Sequence, residues 1–500
     1  MRIRTSRRAS VAAALVLAFP QQAPAPKPEL FGSGRALELT IDAALQLGVR
    51  NNLGLKFEDL AQEAAMYAAR GSWGAFDWTL NAAGGVVDNQ FKSDSVFGGS
   101  KTNTQLFSVD LIRPVSTGGT LSAHFDTANT TTDSTFSALG TSTTDAVSLS
   151  YTQPLLRGAW RQYGTAQQKT ADLAWRRSLE HERGVRLKLL FDVTNAYWTL
   201  VAARADREVA ESNLGLGRTQ LDQDKRRLDA GVGTPIDVLA TETQVATREQ
   251  VLLAVDVRVR EAADGLRRLI LPGADAAQWE TELVPTTPLP EDVSTSAAPG
   301  WNGALETALM QRPELREQRL TIESEKVAYM ERVSEKRPAL DLALTAIGKG
   351  FSGDSSDAFE EAARYDFPTY EAMLRFSLPI GNRTASGAER SAWANLRAAN
   401  LVYDDIETQV AMELRQALRQ VVYQAEAVSA ASKSLDLSRR QLEAEEKRHD
   451  EGISNYFQLL TAQQDLALAL STERNARANF AKAVAASYFA QGVIGEDLGK

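Results

Sequence analysis

Hydrophobic and polar positions follow two different periods along this chain, and each period predicts a different element. Residues from about 161 to 229 and from about 385 to 451 contain no proline and follow a helical period. At ~1.5 Å per residue each segment predicts a helix roughly 100 Å long. Leu214, Leu221 and Leu228 recur at every seventh position, the spacing of a left-handed coiled-coil seam. Helices of this length cannot bury an apolar face alone, so we expect them to pack along one another.

Each long helix is followed by a short break and a second helix, which predicts two helical hairpins with exposed tips. Gly231 and Gly452 come directly after the long helices, where glycine commonly caps a C-terminus in the left-handed conformation. Pro235 then lies at the start of the next helix, a position where the missing N–H has little cost.

Shorter segments alternate between apolar and polar residues and predict strands. The clearest runs are Phe76-Asp-Trp78-Thr-Leu80-Asn-Ala82, Val147 to Tyr151, Leu340 to Leu344 and Tyr370 to Ile380. This alternation is typical of transmembrane barrel strands and equally of a half-buried sheet in a soluble protein. The chain thus offers four clear strands, two in each half. A further alternating pair, Leu106 to Ile112 and Leu121 to Asp126, is either an extracellular hairpin or an extension of the same sheet.

The chain is an internal duplication, because its two halves repeat the same order of elements. The amphipathic helix from Ile41 returns from Ala304, with Asn52 matching Arg312. The strand end Leu149-Ser-Tyr-Thr-Gln-Pro returns as Leu374-Arg-Phe-Ser-Leu-Pro. Leu214, Leu221 and Gly231 match Leu435, Leu442 and Gly452 at one constant offset. Such duplication indicates that one structural unit occurs twice in the architecture.

The domain organisation follows from this duplication. Residues 1–25 have the layout of a secretory signal peptide, with arginines before a short apolar run. Residues 30–270 form the first repeat, with strands at about 76–156 and the long hairpin at about 161–270. Residues 271–303, rich in Pro, Thr and Ser, form an extended linker. Residues 304–492 form the second repeat, with strands at about 339–380 and the hairpin at about 385–492, and residues 493–500 form a tail.

Composition excludes several classes of function. The net charge of -9 and the pI near 5.2 argue against nucleic acid as a partner. The absence of cysteine excludes disulfides and thiolate chemistry. The three histidines lack metal-ligand spacing, Gly215-Leu-Gly lacks the third glycine of a phosphate loop, and the carboxylates lie beside Lys and Arg along helices. We therefore expect no enzyme, no catalytic residue, no metal site and no cofactor.

With these features the chain resembles the TolC-type outer-membrane efflux proteins. The resemblance rests on the signal peptide, the duplicated unit, the segment Gln153-Pro-Leu-Leu-Arg-Gly and the Gly-x5-Asp-Val-Leu pattern from Gly231 to Leu239. It implies a mainly α protein with a transmembrane β-barrel portion, built as a trimeric α/β-barrel tunnel, with twelve strands as the usual count. It also implies a location in the outer membrane with an extension into the periplasm.

The function that the resemblance implies is an outer-membrane channel of a tripartite efflux or type I secretion system. Its partners would be two further copies in a homotrimer, a periplasmic adaptor, an inner-membrane pump and outer-membrane lipid. The alternative is a periplasmic coiled-coil adaptor or scaffold. The cargo stays open, because a tunnel of this kind passes whatever the attached pump selects.

The resemblance also assigns roles to individual residues. The gate and adaptor contact fall on the hairpin tips: Gly231, Gly233, Thr234, Pro235, Asp237, Gly452, Ser454, Gln458 and Thr461. The lipid-facing aromatics of the barrel are Trp78, Tyr151, Tyr370 and Phe376. Gln458 and Thr461 stand where well-known members carry acidic residues, which leaves Asp237 as the acidic ring of the tip or as a simple helix cap. Arg226, Arg227 and Asp237 are our candidates for the ion pairs that hold the gate shut.

Overall fold

The computed structural model describes residues 36–90, 92, 99–134, 137–273, 279–451, 453–454 and 456–495. The expected signal peptide, Gly452 and most of the expected tail lie outside the described residues. The helices, numbered in chain order, are α1 Ile41–Asn51, α2 Leu53–Gly71, α3 Arg161–Gly164, α4 Ala166–Asp229, α5 Pro235–Ile270, α6 Trp301–Gln311, α7 Pro313–Glu335, α8 Ser355–Arg364, α9 Arg383–Asp450 and α10 Tyr456–Gln491.

The two long hairpins are α4–α5 and α9–α10. Helix α4 has 64 residues and α9 has 68, so each is roughly 100 Å long, as the sequence predicted. The first hairpin begins later than expected, because Thr165 separates the short helix α3 from α4. Helix α4 also packs against α10, which joins the two hairpins side by side.

The strands are β1 Leu37–Leu39, β2 Thr79–Gln90, β3 Lys101–Pro114, β4 Thr120–Thr132, β5 Thr141–Pro154, β6 Leu283–Pro285, β7 Ala339–Ser352 and β8 Phe367–Ser377. Six of them form one sheet in the order β2-β3-β4-β5-β7-β8 with every neighbouring pair antiparallel. The alternating pair around residues 106–126, which the sequence left open as an extracellular hairpin or an extension of the sheet, belongs to the same sheet, so the sheet has six strands and not four. Phe76 was also placed wrongly in a strand, since it ends a short 3-10 helix at Ser72–Phe76.

The sheet has one apolar and one polar face. Registered pairs place Leu111, Ala123, Leu149 and Ala346 in one row across four strands, and Phe107, Val109, Tyr151 and Leu344 lie on the same side. Asp110, His124 and Ser148 form a row on the opposite side. Because successive side chains of a strand point to opposite sides of the sheet, each strand contributes residues to both faces.

Helix α8 lies between β7 and β8 and packs on the apolar face, a feature that the sequence analysis missed. Ala358 and Ala362, one turn apart, are fully buried. A Cβ on Gly350 would come within 1.8 Å of the Ala358 carbonyl oxygen, and a Cβ on Gly348 within 2.1 Å of the Ala362 carbonyl oxygen. The two glycines therefore let the helix backbone lie directly on the strand. Asp354 starts the helix by accepting the Ser356 N–H at 2.8 Å.

The two ends of the first repeat meet in one apolar core. Strand β1 pairs in parallel with β6, so part of the expected linker 271–303 belongs to a two-stranded sheet. The buried Tyr197 of α4 donates its hydroxyl to the Leu39 carbonyl at 2.9 Å and accepts the Thr287 N–H at 3.0 Å. These bonds satisfy polar groups at the centre of the largest apolar cluster.

The duplication is visible in the helix breaks. Asn52 separates α1 from α2, and its repeat counterpart Arg312 separates α6 from α7. Asn52 caps α2 by accepting the Leu55 N–H at 3.1 Å. Arg312 instead lies buried, with its guanidinium 2.5 Å from the Glu413 carboxylate. Along the described part of the chain, no helix is both long and apolar enough to cross a membrane.

Candidate functional site at the hairpin tips

The first tip is a tight turn that requires glycine at positions 231 and 233. Gly231 has φ +74, the left-handed conformation predicted for it. The Val232 and Gly233 N–H groups both donate to the Arg227 carbonyl at 2.9 Å, which satisfies the end of α4. A Cβ on Gly233 would lie 2.9 Å from the Leu228 nitrogen, so a side chain here would push the turn open.

The Asp237 carboxylate serves the backbone of the first tip. It accepts the Thr234 N–H at 3.2 Å, while the Thr234 hydroxyl accepts the Asp237 N–H at 3.3 Å. This reciprocal capping box fixes the start of α5, with Pro235 in its first turn. The sequence left two roles open for Asp237, a helix cap and an acidic ring. Within one chain Asp237 acts as the helix cap.

The second tip is held by a side-chain link across the turn. Ser454 is buried; its hydroxyl donates to the Glu445 carboxylate of α9 and lies 2.9 Å from the Gln458 side-chain amide. The Ile453 and Ser454 N–H groups both donate to the Arg448 carbonyl. Thr461 donates its hydroxyl to the Phe457 carbonyl of its own helix at 2.9 Å. The two tips therefore share one pattern of backbone closure and differ in the side chains that stabilise it.

Both tips expose large apolar side chains. Val232 is 72% exposed and Ile236 77%, with Ile453 and Phe457 similarly open at the second tip. Large apolar side chains exposed together at a helix turn are typical of a contact with another protein.

Among the described residues of one chain, the side chains of the arginines proposed from the sequence make no ion pair with another element. Arg226 lies 2.5 Å from Asp222, four residues earlier on the same helix, and both side chains are exposed. Arg227 is exposed as well. Near this tip the cross-helix contacts come from other residues. Thr241 donates to the buried Asp224 at 2.6 Å, and Lys225 lies 3.0 Å from Glu242.

A row of polar contacts joins the first hairpin to the second, and the sequence analysis missed it. Asn475 of α10 donates to Asp206 of α4 at 3.0 Å, and Ser471 bonds to the same carboxylate. Arg474 donates to the Ala205 carbonyl at 3.0 Å and to Glu208 at 2.7 Å. These residues lie more than 260 positions apart, so no local pattern could have indicated the row.

The row continues towards the tips through Arg248 of α5. Its guanidinium donates to the Asn213 carbonyl at 2.7 Å and to the Gln463 amide oxygen at 3.3 Å. Gln464 donates to Gln244 at 3.3 Å one turn nearer the tip. A Cβ on Gly217 would lie 2.8 Å from the Arg248 guanidinium, so this glycine makes room for it. We call this set, from Asp206–Asn475 to Gln244–Gln464, the inter-hairpin row.

Three of the four aromatic residues predicted to face lipid, Tyr151, Tyr370 and Phe376, lie on the apolar side of the sheet. Tyr370 is 75% and Phe376 63% exposed, while Tyr151 is half-buried and donates its hydroxyl to Gln153 at 2.6 Å. Trp78 lies just before β2, with the Arg113 guanidinium 5.4 Å from its ring centre. Tyr151 and Trp78 thus combine apolar surface with a polar partner, as aromatic residues at membrane interfaces do.

Comparison with known proteins gives three findings. The model of one family, described as outer membrane efflux protein, matches residues 120–270 and 304–493. The chain is similar to the alkaline protease secretion protein AprF of Pseudomonas aeruginosa, with 25% identity over 358 residues that cover 70% of this chain and 69% of the relative.

The third finding is a likeness to solved outer-membrane channels. The Campylobacter jejuni channel CmeC matches with a TM-score of 0.66 and 14% identity, over 91% of this chain and 85% of that one. The open state of the Neisseria gonorrhoeae channel MtrE matches with a TM-score of 0.64 and 16% identity, over 94% of this chain and 98% of that one. At such identities these structures establish a shared fold.

Proposed function

The chain belongs to the outer membrane efflux protein family, and from that premise we propose that three copies form one passage from the periplasm across the outer membrane. It is an outer-membrane channel of the efflux and secretion type. The observation that carries the proposal is that one chain joins a sheet with one apolar and one polar face to two hairpins roughly 100 Å long. In a ring of copies, the part of the apolar face that α8 leaves uncovered contacts lipid and the polar face lines water.

The exposed apolar residues of the long helices support assembly of several copies. Leu253, Leu401, Leu437 and Leu468 are each more than 60% exposed. A helix surrounded by water would carry polar residues there, so these leucines are suited to packing against the hairpins of neighbouring copies.

Electron microscopy of the protein extracted from outer membranes in detergent tests this assembly. We expect three-fold particles with a hollow shaft. Compact or filamentous particles without a central pore would refute the channel and favour the coiled-coil scaffold instead, as would release of the protein from membranes by high salt alone.

We place the adaptor contact on the exposed apolar residues of the tips, where the inner-membrane pump complex would dock. An adaptor of this kind presents helical segments, and Ile236 and Phe457 offer apolar anchors for them. Because the chain contains no cysteine, a single Val232→Cys variant reacts with a thiol cross-linker at one known place. In intact cells we expect a cross-linked product that mass spectrometry identifies as this chain joined to a helical-hairpin adaptor.

The matched control is Leu253→Cys, which is 68% exposed on α5 but lies several turns from the tip. Its products should contain only other copies of this chain. If Val232→Cys gave the same products as the control, the tip would not be the adaptor contact.

We propose that the inter-hairpin row holds the closed arrangement of the helices. Opening the tunnel requires the hairpins to separate, and the row joins them through Asp206 and Arg248. Asp206→Ala or Arg248→Ala should therefore raise single-channel conductance or open time in planar bilayers. Removing either group also leaves a partner without its bond, which adds to the loosening.

Arg218→Ala is the control for this experiment. Arg218 lies 2.8 Å from Glu249, but that pair joins α4 to α5 inside one hairpin. Its loss should leave conductance unchanged. Equal effects of Arg218→Ala and Asp206→Ala would show that general loosening of the helices, rather than the row, sets the closed state.

A further inference from the structure

The hairpin formed by β3 and β4 is an integral part of the sheet. Strand β3 pairs with β2 from Lys101 to Ile112 and with β4 from Thr102 to Pro114. Strand β4 in turn pairs with β5 along its length. If the hairpin folded away from the sheet, β3 would lose its backbone hydrogen bonds to β2 and β4 would lose those to β5.

The turn of this hairpin is anchored at the helical end of the sheet. A Cβ on Gly118 would lie 2.2 Å from the Gly158 carbonyl oxygen, and a Cβ on Gly164 would lie 2.3 Å from the Ser116 carbonyl oxygen. Gln153 donates to the Thr117 carbonyl at 3.1 Å and accepts the Thr117 hydroxyl at 2.8 Å. The turn therefore fits against the junction between β5 and α4, which a loop projecting outward would not do.

The hairpin also continues both faces of the sheet. Phe107, Val109 and Phe125 extend the apolar face. On the polar face His124 lies between two carboxylates, with Nδ1 2.5 Å from Asp110 and Nε2 3.2 Å from Asp126. An arrangement with lipid on one side and water on the other is what each strand of a membrane-spanning barrel requires.

The two edge strands of the six-stranded sheet, β2 and β8, are open to pairing with further strands. Among the described strands, β2 and β8 each have a neighbour on one side only, and nearly all their side chains are exposed. The exposed residues include Leu80 at 67%, Leu374 at 62% and Phe376 at 63%. Such edges pair readily with another strand. Because the chain contributes an even number of antiparallel strands, β8 of one copy runs antiparallel to β2 of the next.

Building on the three-fold assembly proposed above, we propose that the sheets of three copies close into an eighteen-stranded barrel instead of the twelve-stranded one usual for this kind of channel. Barrel diameter grows roughly linearly with strand number, so the bore is wider by a factor of about 1.5 at equal tilt. Barrels of about this strand number leave an open aqueous channel. The helical part still has two hairpins per chain, so size selection falls on the tips and the membrane exit is wide.

Disulfide cross-linking tests the strand order in the full-length chain. Ala123→Cys with Leu149→Cys joins directly opposed residues of β4 and β5, and a disulfide should form. Leu80→Cys with Leu149→Cys is the matched pair, because both residues lie in the same row across the sheet. They are three strand spacings of ~4.8 Å apart, too far for a disulfide. This pair should stay reduced. A disulfide in the second pair and none in the first would place β2 beside β5 and overturn the proposal.

Microscopy and polymer exclusion test the bore. Cross-sections of the particles should show eighteen strands, and neutral polymers added from the extracellular side should enter up to a larger size than in a variant lacking residues 101–132. Deleting this pair of strands keeps the alternation of directions, so the shorter variant can still close. An equal size limit for both proteins would refute the proposal.

If the deletion variant does not fold, the cross-linking pairs still decide whether the β3–β4 hairpin lies within the sheet, and the strand count in the particles decides the closure. A three-fold particle with twelve strands would refute the wide barrel and leave the channel function intact. A particle with no ring would refute both.

Discussion

The two repeats differ least in their helices and most in what lies between their strands. Each repeat has two framing strands, β2 and β5 in the first and β7 and β8 in the second. The first inserts the β3–β4 hairpin between them, and the second inserts the amphipathic helix α8. The hairpins below match closely, with 64 and 68 residues in the long helices and 36 in each returning helix.

The comparison shows where this fold tolerates change. Helices that pack along each other over roughly 100 Å must keep equal lengths and a common seam. An insertion between strands need only satisfy its own hydrogen bonds and continue an existing face. The β3–β4 hairpin does so with a new pair of ladders, and α8 does so with internal helix bonds and two buried alanines.

The strongest test of the difference is a side chain at the seat of α8. Gly350→Leu should destabilise the protein by about 3 kcal/mol, because the nearest obstacle is helix backbone that cannot rotate away. The melting temperature of the detergent-extracted protein measures the loss. The control is Gly85→Leu in β2 of the first repeat, where a Cβ meets nothing within 4 Å. Equal effects at both positions would mean that the glycines matter only for strand propensity.

The next test compares the two helix breaks. Arg312→Met removes a buried guanidinium and leaves Glu413, which is about one-third exposed, without its cation. We expect a loss of about 3 kcal/mol, the lower end for a broken buried pair. Asn52→Ala, at the counterpart position, should cost about 1 kcal/mol as a lost cap. Chemical denaturation measures the unfolding free energy of both variants. A larger loss for Asn52→Ala than for Arg312→Met would contradict this prediction.

The tips provide a smaller effect. Asp237→Ala removes one half of the capping box and should cost about 1 kcal/mol, confined to the start of α5. Hydrogen exchange should become faster in the first turn of α5 and stay unchanged at Ser454 of the other tip. Asp237→Asn, which keeps an acceptor oxygen, is the matched control and should restore most of the protection. Faster exchange at both tips would indicate that they are coupled.

The smallest effect concerns a pair of repeat counterparts with opposite charge. Glu261 of α5 corresponds to Lys482 of α10, and both line one groove of about 510 Å³ together with Asp206 and Arg258. Burial lowers the pKa of Lys482 below its usual 10.5. Between the lowered pKa and 10.5 the unfolded chain binds more protons than the folded one, so stability rises with pH.

Lys482→Met should lack this rise. From pH 8 to pH 10 the melting temperature of the wild type should therefore increase relative to that of Lys482→Met. Lys447→Met is the control, because a hydrogen bond with Glu443 raises the pKa of Lys447 and moves its titration above this range. A constant difference between wild type and Lys482→Met across the range would show that Lys482 keeps its ordinary pKa.

The sequence by itself determined the long helices, the duplication and the backbone of the first tip. These features depend on local chemistry: a stretch without proline, a heptad of leucines, the left-handed Gly231 and Pro235 at a helix start. It also indicated the two faces of the framing strands, because side chains alternate in every strand.

Only the tertiary structure decided which strands share a sheet and which residues join the hairpins. The β3–β4 pair has the same alternation whether it extends the sheet or projects from it, and the choice depends on a close fit to Gly158 and Gly164 beyond the next strand. Helix α8 takes its place because Gly348 and Gly350 leave room. Asp206 meets Asn475 across 269 positions of sequence. Such contacts depend on how distant elements pack, which no local period records.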